Sequence, residues 1–150
     1  MTQKFLEQLQ AWQDELAELA IDCGCAKREQ EAVLLRAAHA LLEQAPLGWR
    51  GHFAGGPSLA TIDLLTAAGG ANAAALALVE GRCCYMLSHG PQGRHIATVA
   101  VEGLAEEASS GGESAALALV GALASCLAGQ VHDIDGVYVS GMFSPSLRLN

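Results

Sequence analysis

Between residues 4 and 20, apolar side chains fall at Phe5, Leu9, Trp12, Leu16 and Leu19, spaced alternately by four and three. An α-helix returns to one face at that interval, so the pattern predicts an amphipathic helix with the narrow seam that helical hairpins and coiled coils bury. Glu7, Asp14, Glu15 and Glu18 take the opposite side. The pattern stops at Asp22-Cys23-Gly24-Cys25, where Gly24 is free to adopt the left-handed conformation that ends a helix. A second helical pattern covers Lys27 to Ala45, with Val33, Leu34, Ala37, Leu41 and Leu42 on one face, and Pro46 and Gly48 close it. The short link favours an antiparallel pair. Trp49 to Pro57 is turn-rich and predicts a boundary. The chain then divides into a helical hairpin over 1–48 and a second unit over 57–150, which can also form one compact body with it.

Ser58 is a plausible N-cap ahead of Leu59, Ile62 and Leu65. Gly69-Gly70 interrupts that pattern and Asn72 can cap a new helix through Val79, so Ser58 to Val79 reads as one broken helix or as two. The period then changes. Cys83 to Ser88 and His95 to Val101 alternate like strands around a Gly/Pro loop from His89 to Arg94, which predicts a hairpin. A weaker third strand is expected from Leu104 to Ser109, ending at Gly111-Gly112. Glu113 to Ala128 is helical and apolar on nearly every side, with Gly121, Ala124 and Ala128 allowing close backbone approach. In the tail, Val131 to Phe143, Asp135-Gly136 signals a two-residue hairpin turn. The expected class is α+β: an N-terminal helical pair, then an αβββα antiparallel-sheet sandwich with a C-terminal β-hairpin.

Ala74-Ala75-Leu76-Ala77-Leu78-Val79-Glu80-Gly81 runs straight into a strand, and Glu113-Ser114-Ala115-Ala116-Leu117-Ala118-Leu119-Val120-Gly121-Ala122-Leu123 opens the last helix. With these segments, residues 72–128 resemble the small α/β (ABA) sandwich domain of phage and prophage proteins. In that family an AALALVPEGW segment precedes the sheet and a TPALALCAAALRA helix follows it. Here the Pro is missing, Arg82-Cys83 stands at the aromatic start, and Glu113-Ser114 replaces Thr-Pro. The resemblance implies a fold and a phage context, and no reaction. The same element order, with Ser88-His89-Gly90-Pro91 and His95, is also similar to the double-stranded-RNA-binding domain. That family grips phosphates with a Lys pair at the start of its last helix. Gly112-Glu113-Ser114 stands there instead, and the acid would repel the ligand.

Composition narrows the picture further. The chain has 150 residues, 51% hydrophobic and 16% charged, enough apolar content for a core and too much for a disordered chain. Eight Lys and Arg against sixteen Asp and Glu leave a net charge of −8, which argues against a nucleic-acid groove. The cysteines, Cys23, Cys25, Cys83, Cys84 and Cys126, are odd in number and crowded in pairs, a poor disulfide framework. Reduced thiols in a cytoplasmic protein are expected. Met1 to Glu7 carries no signal-peptide pattern, and Leu64–Val79 and Ser114–His132 are too diluted by small and polar residues for bilayer spans.

Few residues point to chemistry. Cys23-Gly24-Cys25 lacks the further ligands a metal needs, and Asp133-Ile134-Asp135-Gly136 lacks the later oxygens of a calcium loop. Ser109-Ser110-Gly111-Gly112 precedes a helix without a P-loop Lys. No catalytic constellation, metal or cofactor is therefore expected. His89, Arg94 and His95 cluster at the hairpin loop and are candidates for a small anion-binding tip. Two interaction surfaces are candidates as well. The seam Phe5, Leu9, Trp12, Leu16 and Leu19 offers a homodimer interface. Glu102, Glu106, Glu107 and Glu113 offer an acidic face.

The expected function is that of a phage- or prophage-type accessory protein acting by protein–protein contact without catalysis. The alternatives are an acidic inhibitor that occupies a basic nucleic-acid groove of a host enzyme and a degenerate double-stranded-RNA-binding-like module. Membrane and nucleic-acid partners are not expected. A small hydrolase or transferase would need a pocket with converging polar groups.

Overall fold

The computed structural model describes residues 2–81, 83–104, 106–132 and 138–140, with backbone alone for His52 and for residues 130–132 and 138–140. Helix α1 (Gln3–Cys25) begins where Thr2 Oγ1 accepts from the Phe5 amide at 3.2 Å. Leu9, Trp12, Leu16 and Leu19 are only 2–5% exposed, and Phe5 is half-buried on the same face. The helix runs through Gly24 instead of ending on it, and the extended Ala26 closes it. Its last turn packs against the sheet, burying Cys23 and bringing Gly24 beside the Gly111 carbonyl. That packing holds the glycine helical.

A 3₁₀ turn at Arg28–Gln30 leads into α2 (Glu31–Glu43). The indole Nε1 of Trp12 donates to the Leu41 carbonyl at 2.7 Å, so the far end of α2 lies beside the middle of α1 and the two run antiparallel. The stretch expected as a boundary instead forms α3 (Leu47–Phe53). Gly48 and Gly51 each disfavour a helix by about 1 kcal/mol. Burial of Trp49 against Trp12, with ring centroids 5.9 Å apart, offsets that cost.

Ser58 is the N-cap of α4 (Leu59–Ala67), its Oγ accepting from the Thr61 amide at 3.1 Å. Gly69, at φ +81°, separates α4 from α5 (Ala71–Val79), so Ser58 to Val79 holds two helices. Asn72 lies inside α5 and caps a different helix. Its Oδ1 accepts from the Ala116 amide at 3.0 Å.

Strands β1 (Cys83–His89), β2 (His95–Val101) and β3 (Glu107–Gly112) form an antiparallel sheet in the order β1-β2-β3. His89 pairs with His95 and Cys83 with Val101; His95 pairs in turn with Gly112. β3 starts later than the pattern suggested and includes the two glycines expected to end it. Gly112 is needed inside the strand because a Cβ there would lie 2.8 Å from the Ala118 nitrogen.

Helix α6 (Ala115–Ala128) starts at Ser114, whose Oγ accepts from the Leu117 amide at 3.2 Å. It lies between α1 and the sheet, which is why it is apolar all round. Ala97, Val99 and Val101 of β2 are buried on one side of it, and Gly121 lets it approach both Ser110 and Cys23. Gln13 of α1 is buried, and its amide donates to the Leu127 carbonyl at 3.2 Å, where the helix would otherwise leave an acceptor open.

Buried side chains from Leu9 to Leu127 form one continuous core. After α6, β4 (Gln130–His132) pairs antiparallel with β5 (Tyr138–Ser140). The Asp135-Gly136 turn lies outside the described residues. The protein is α+β with an antiparallel sheet, and among the described residues no helix is long and apolar enough to cross a membrane.

Candidate functional site

β1 is an edge strand, and among the described residues nothing pairs with its outer side. One face of the sheet is covered by α6, but the helix sits over β2 and β3, and β1 overhangs it. Side chains therefore stay open on both faces of the strand: Tyr85 is 45% exposed, Met86 67% and Leu87 39%, with Ile96 of β2 beside them at 44%. Cys83-Cys84-Tyr85-Met86-Leu87-Ser88-His89 contains no charge and no proline, and its register with β2 runs unbroken by a bulge. Natural edges are usually guarded by one of those devices. The opposite edge, β3, lies beside the end of α1. β1 is thus the unguarded edge of the sheet.

The two ends of this sheet differ in charge. His89 and His95 lie across from one another at the hairpin end, with ring centroids 4.7 Å apart and the rings meeting edge to face. Arg94 reaches back from the loop, and its Nη2 donates to the Gly24 carbonyl at 3.2 Å. The three residues expected to form a tip are thus together. Lys27 and Arg28, which the sequence reading did not include, arrive at the same end from the link after α1. The Arg28 amide donates to Glu113 Oε2 at 2.7 Å, and Lys27 Nζ is 3.9 Å from Glu113 Oε1. Burial first, then the charges of His89 and Arg28, hold the His95 imidazole below its ordinary pKa.

The candidate acidic face is split by the fold. Glu102, Glu106 and Glu107 sit at the β2–β3 connection, while Glu113 lies beyond the far end of β3, about 20 Å away by strand rise. The acids that line up in the open are those of α1, Glu7, Asp14, Glu15 and Glu18, on the side away from its seam. The seam itself is filled within the chain by α2 and α6, so Leu9, Trp12, Leu16 and Leu19 present nothing to a second copy.

A cleft of about 800 Å³ opens between α2, α3 and α5, lined by His39, Glu43, Arg50, Phe53, Leu78 and Glu80 among others. Its polar groups are largely engaged with the protein. His39 Nε2 lies 2.9 Å from the Pro57 carbonyl and 3.7 Å from Glu43, and Arg50 Nε donates to the Ala45 carbonyl at 2.9 Å. Among the described residues, no hydroxyl or thiol lines it as a nucleophile. Nothing in the residue pattern pointed to the cleft, because a helix at Leu47–Phe53 was not expected.

Among the described residues no disulfide joins the cysteines. Cys23 and Cys126 are buried, Cys83 is half-buried, and Cys25 and Cys84 are exposed. Burial pushes the Cys23 and Cys83 thiols up to about 12, well away from the thiolate a metal or nucleophile needs. No family model, curated protein or solved structure matches this chain.

Proposed function

We propose that this chain is a non-catalytic protein–protein interaction protein of the phage or prophage type, acting in the cytoplasm, and that it pairs with a second copy of itself along the free edge of β1. The observation that carries the reading is the uncharged, unguarded edge with Tyr85, Met86 and Leu87 exposed. The α5–β1–β2–β3–α6 order supports the αβββα sandwich that the resemblance of residues 72–128 implies, with β4 and β5 as its C-terminal hairpin.

A second copy is the occupant that the edge fits best. Met86 is the centre of a seven-residue strand, so a two-fold axis through it brings the strand opposite itself in antiparallel register and makes one six-stranded sheet from two of three. The same operation sets the hairpin end, with His89 and Arg94, beside the partner copy's Glu102 end. Arg94 and the partner copy's Glu102 stand at the ends of the two β2 strands, about three strand spacings or roughly 14 Å apart, so the attraction steers the copies without bringing the charges into contact.

Sedimentation velocity over a concentration series tests this. The wild type is expected to pass from monomer to dimer. Met86→Lys, which adds a guarding charge at an exposed position, is expected to stay monomeric with an unchanged fold. A wild type that remains monomeric at high concentration, or a Met86→Lys variant that dimerises as the wild type does, would refute the reading.

The exposed acids along α1 favour a second reading, an acidic inhibitor of a host nucleic-acid enzyme. Competition between the chain and duplex DNA for such an enzyme decides it. Inhibition that survives replacement of Asp14 and Glu18 by Ser would count against it.

A further inference from the structure

In a chain of net charge −8, one end of the sheet gathers Lys27, Arg28, Arg94, His89 and His95. The hydrogen bonds show how. Arg94 ties the hairpin to the Gly24 carbonyl, and the Arg28 amide is held by Glu113, which follows Gly112, the strand partner of His95. Three separated segments are thus pinned to one spot. Glu113 sits within ion-pair distance of Lys27. Among the described residues, no carboxylate lies at that distance from Arg28, Arg94, His89 or His95. The cluster has more cationic capacity than the protein neutralises, although carboxylates are twice as numerous as Lys and Arg in the chain.

We propose that Arg28, Arg94, His89 and His95 form an anion site that takes a phosphate group, free or as a monoester on a small molecule. Guanidinium groups match phosphate oxygens with forked, charge-assisted hydrogen bonds. Each imidazole donates a further bond when protonated. A phosphate monoester has its second ionisation near pH 6, in the same range as histidine, so the dianion and the imidazolium coexist in a window around that pH. His95 is held below its ordinary pKa first by burial and then by the charges of His89 and Arg28, which places both of those groups close to it. The other charges carried to this end by the packed elements are Asp22 on α1, Lys27 and Glu29 in the link, Glu31 at the start of α2, and Glu113. Glu31 is engaged by the Ser114 hydroxyl at 2.6 Å. The site does not depend on β1 pairing with a second copy.

The test is a titration of the full chain with sodium phosphate at constant ionic strength, read from the histidine Cε1–H resonances. His89 and His95 are expected to shift saturably while His39 does not, and the pKa of His95 is expected to rise in the presence of phosphate. By linkage, binding is tighter at pH 6 than at pH 8. Arg28→Gln and Arg94→Gln are each expected to weaken binding about tenfold, the equivalent of one charge-assisted contact. Circular dichroism confirms that both variants stay folded.

A parallel titration with ribose 5-phosphate separates the sources. Tighter binding than inorganic phosphate assigns the site to a monoester, equal binding to the free ion, and both support it. Shifts that do not saturate, that affect all histidines alike, or that persist unchanged in the two Arg variants would overturn the proposal.

Discussion

Gly112→Ala is a one-carbon change whose cost can be worked from the packing. Gly112 is buried where the end of β3 meets the first turn of α6. A Cβ on it would stand 2.8 Å from the Ala118 nitrogen, 3.0 Å from Leu117 Cβ and 3.1 Å from the Leu117 carbonyl carbon. Two of those neighbours are backbone, so the helix itself must retreat by several tenths of an ångström to reach ordinary contact. Overpacking of this kind costs about 1–3 kcal/mol, and rigid neighbours place it near the top of that range. The smaller entropy lost by alanine on folding returns about 0.5–1 kcal/mol. The net loss is about 2 kcal/mol, or a Tm lower by about 4–8 °C for a domain of this size.

Gly51→Ala is the control. Gly51 lies in α3 with no atom within 4 Å of a Cβ, so helix propensity alone acts and the variant should gain up to about 1 kcal/mol. Thermal unfolding by circular dichroism reads both. A Gly112→Ala protein that melts with or above the wild type would refute the close approach of α6 to β3.

Trp12→Phe removes the indole donor from the Leu41 carbonyl and shrinks a buried ring, and should cost about 2 kcal/mol in guanidinium unfolding. Its mass in solution should not change, because the ring is buried inside the chain and not between copies. At pH 8, iodoacetamide should modify Cys25 and Cys84 first, as mass spectrometry of the intact fold will show. A thiol held at about 12, as Cys23 and Cys83 are, is only about one part in ten thousand thiolate there. These raised values also predict alkaline instability. The buried thiols favour the fold fully below the ordinary value of 9.0, and that contribution is lost as pH rises toward about 12, because the unfolded chain ionises first. Stability that stays level between pH 8 and 11 would contradict their burial.

Much of the fold was legible because its signals are local. The seam of α1, the Ser58 cap, the break at Gly69-Gly70 and the β1–β2 hairpin each follow from spacing or turn chemistry within a few residues. What was misread depends on distant partners. Gly24 was expected to end a helix, yet the sheet behind it keeps it helical. Trp49 sat in a run of turn residues, and only Trp12, far away in sequence, makes a helix there worthwhile. Asn72 looked like a cap for its own helix and serves α6. For the candidate sites the same rule holds. The histidines and Arg94 were recognisable because a tight hairpin brings them together, whereas Arg28 joins them only through tertiary packing. The seam of α1 was correctly seen as needing cover, but a sequence does not say that the cover comes from α6 of the same chain.

The central claim is that the edge of β1 is the surface on which two copies meet. Hydrogen exchange of the segment 83–89, measured by mass spectrometry in dilute and concentrated solution, tests it most directly. Pairing along the edge predicts that those amides of Cys83 to His89 that point away from β2 exchange quickly in the dilute sample and become protected as the dimer forms, while those of β3 and α6 change little. Exchange in 83–89 that is the same at both concentrations, with the mass of the particle rising, would place the contact elsewhere and contradict the account.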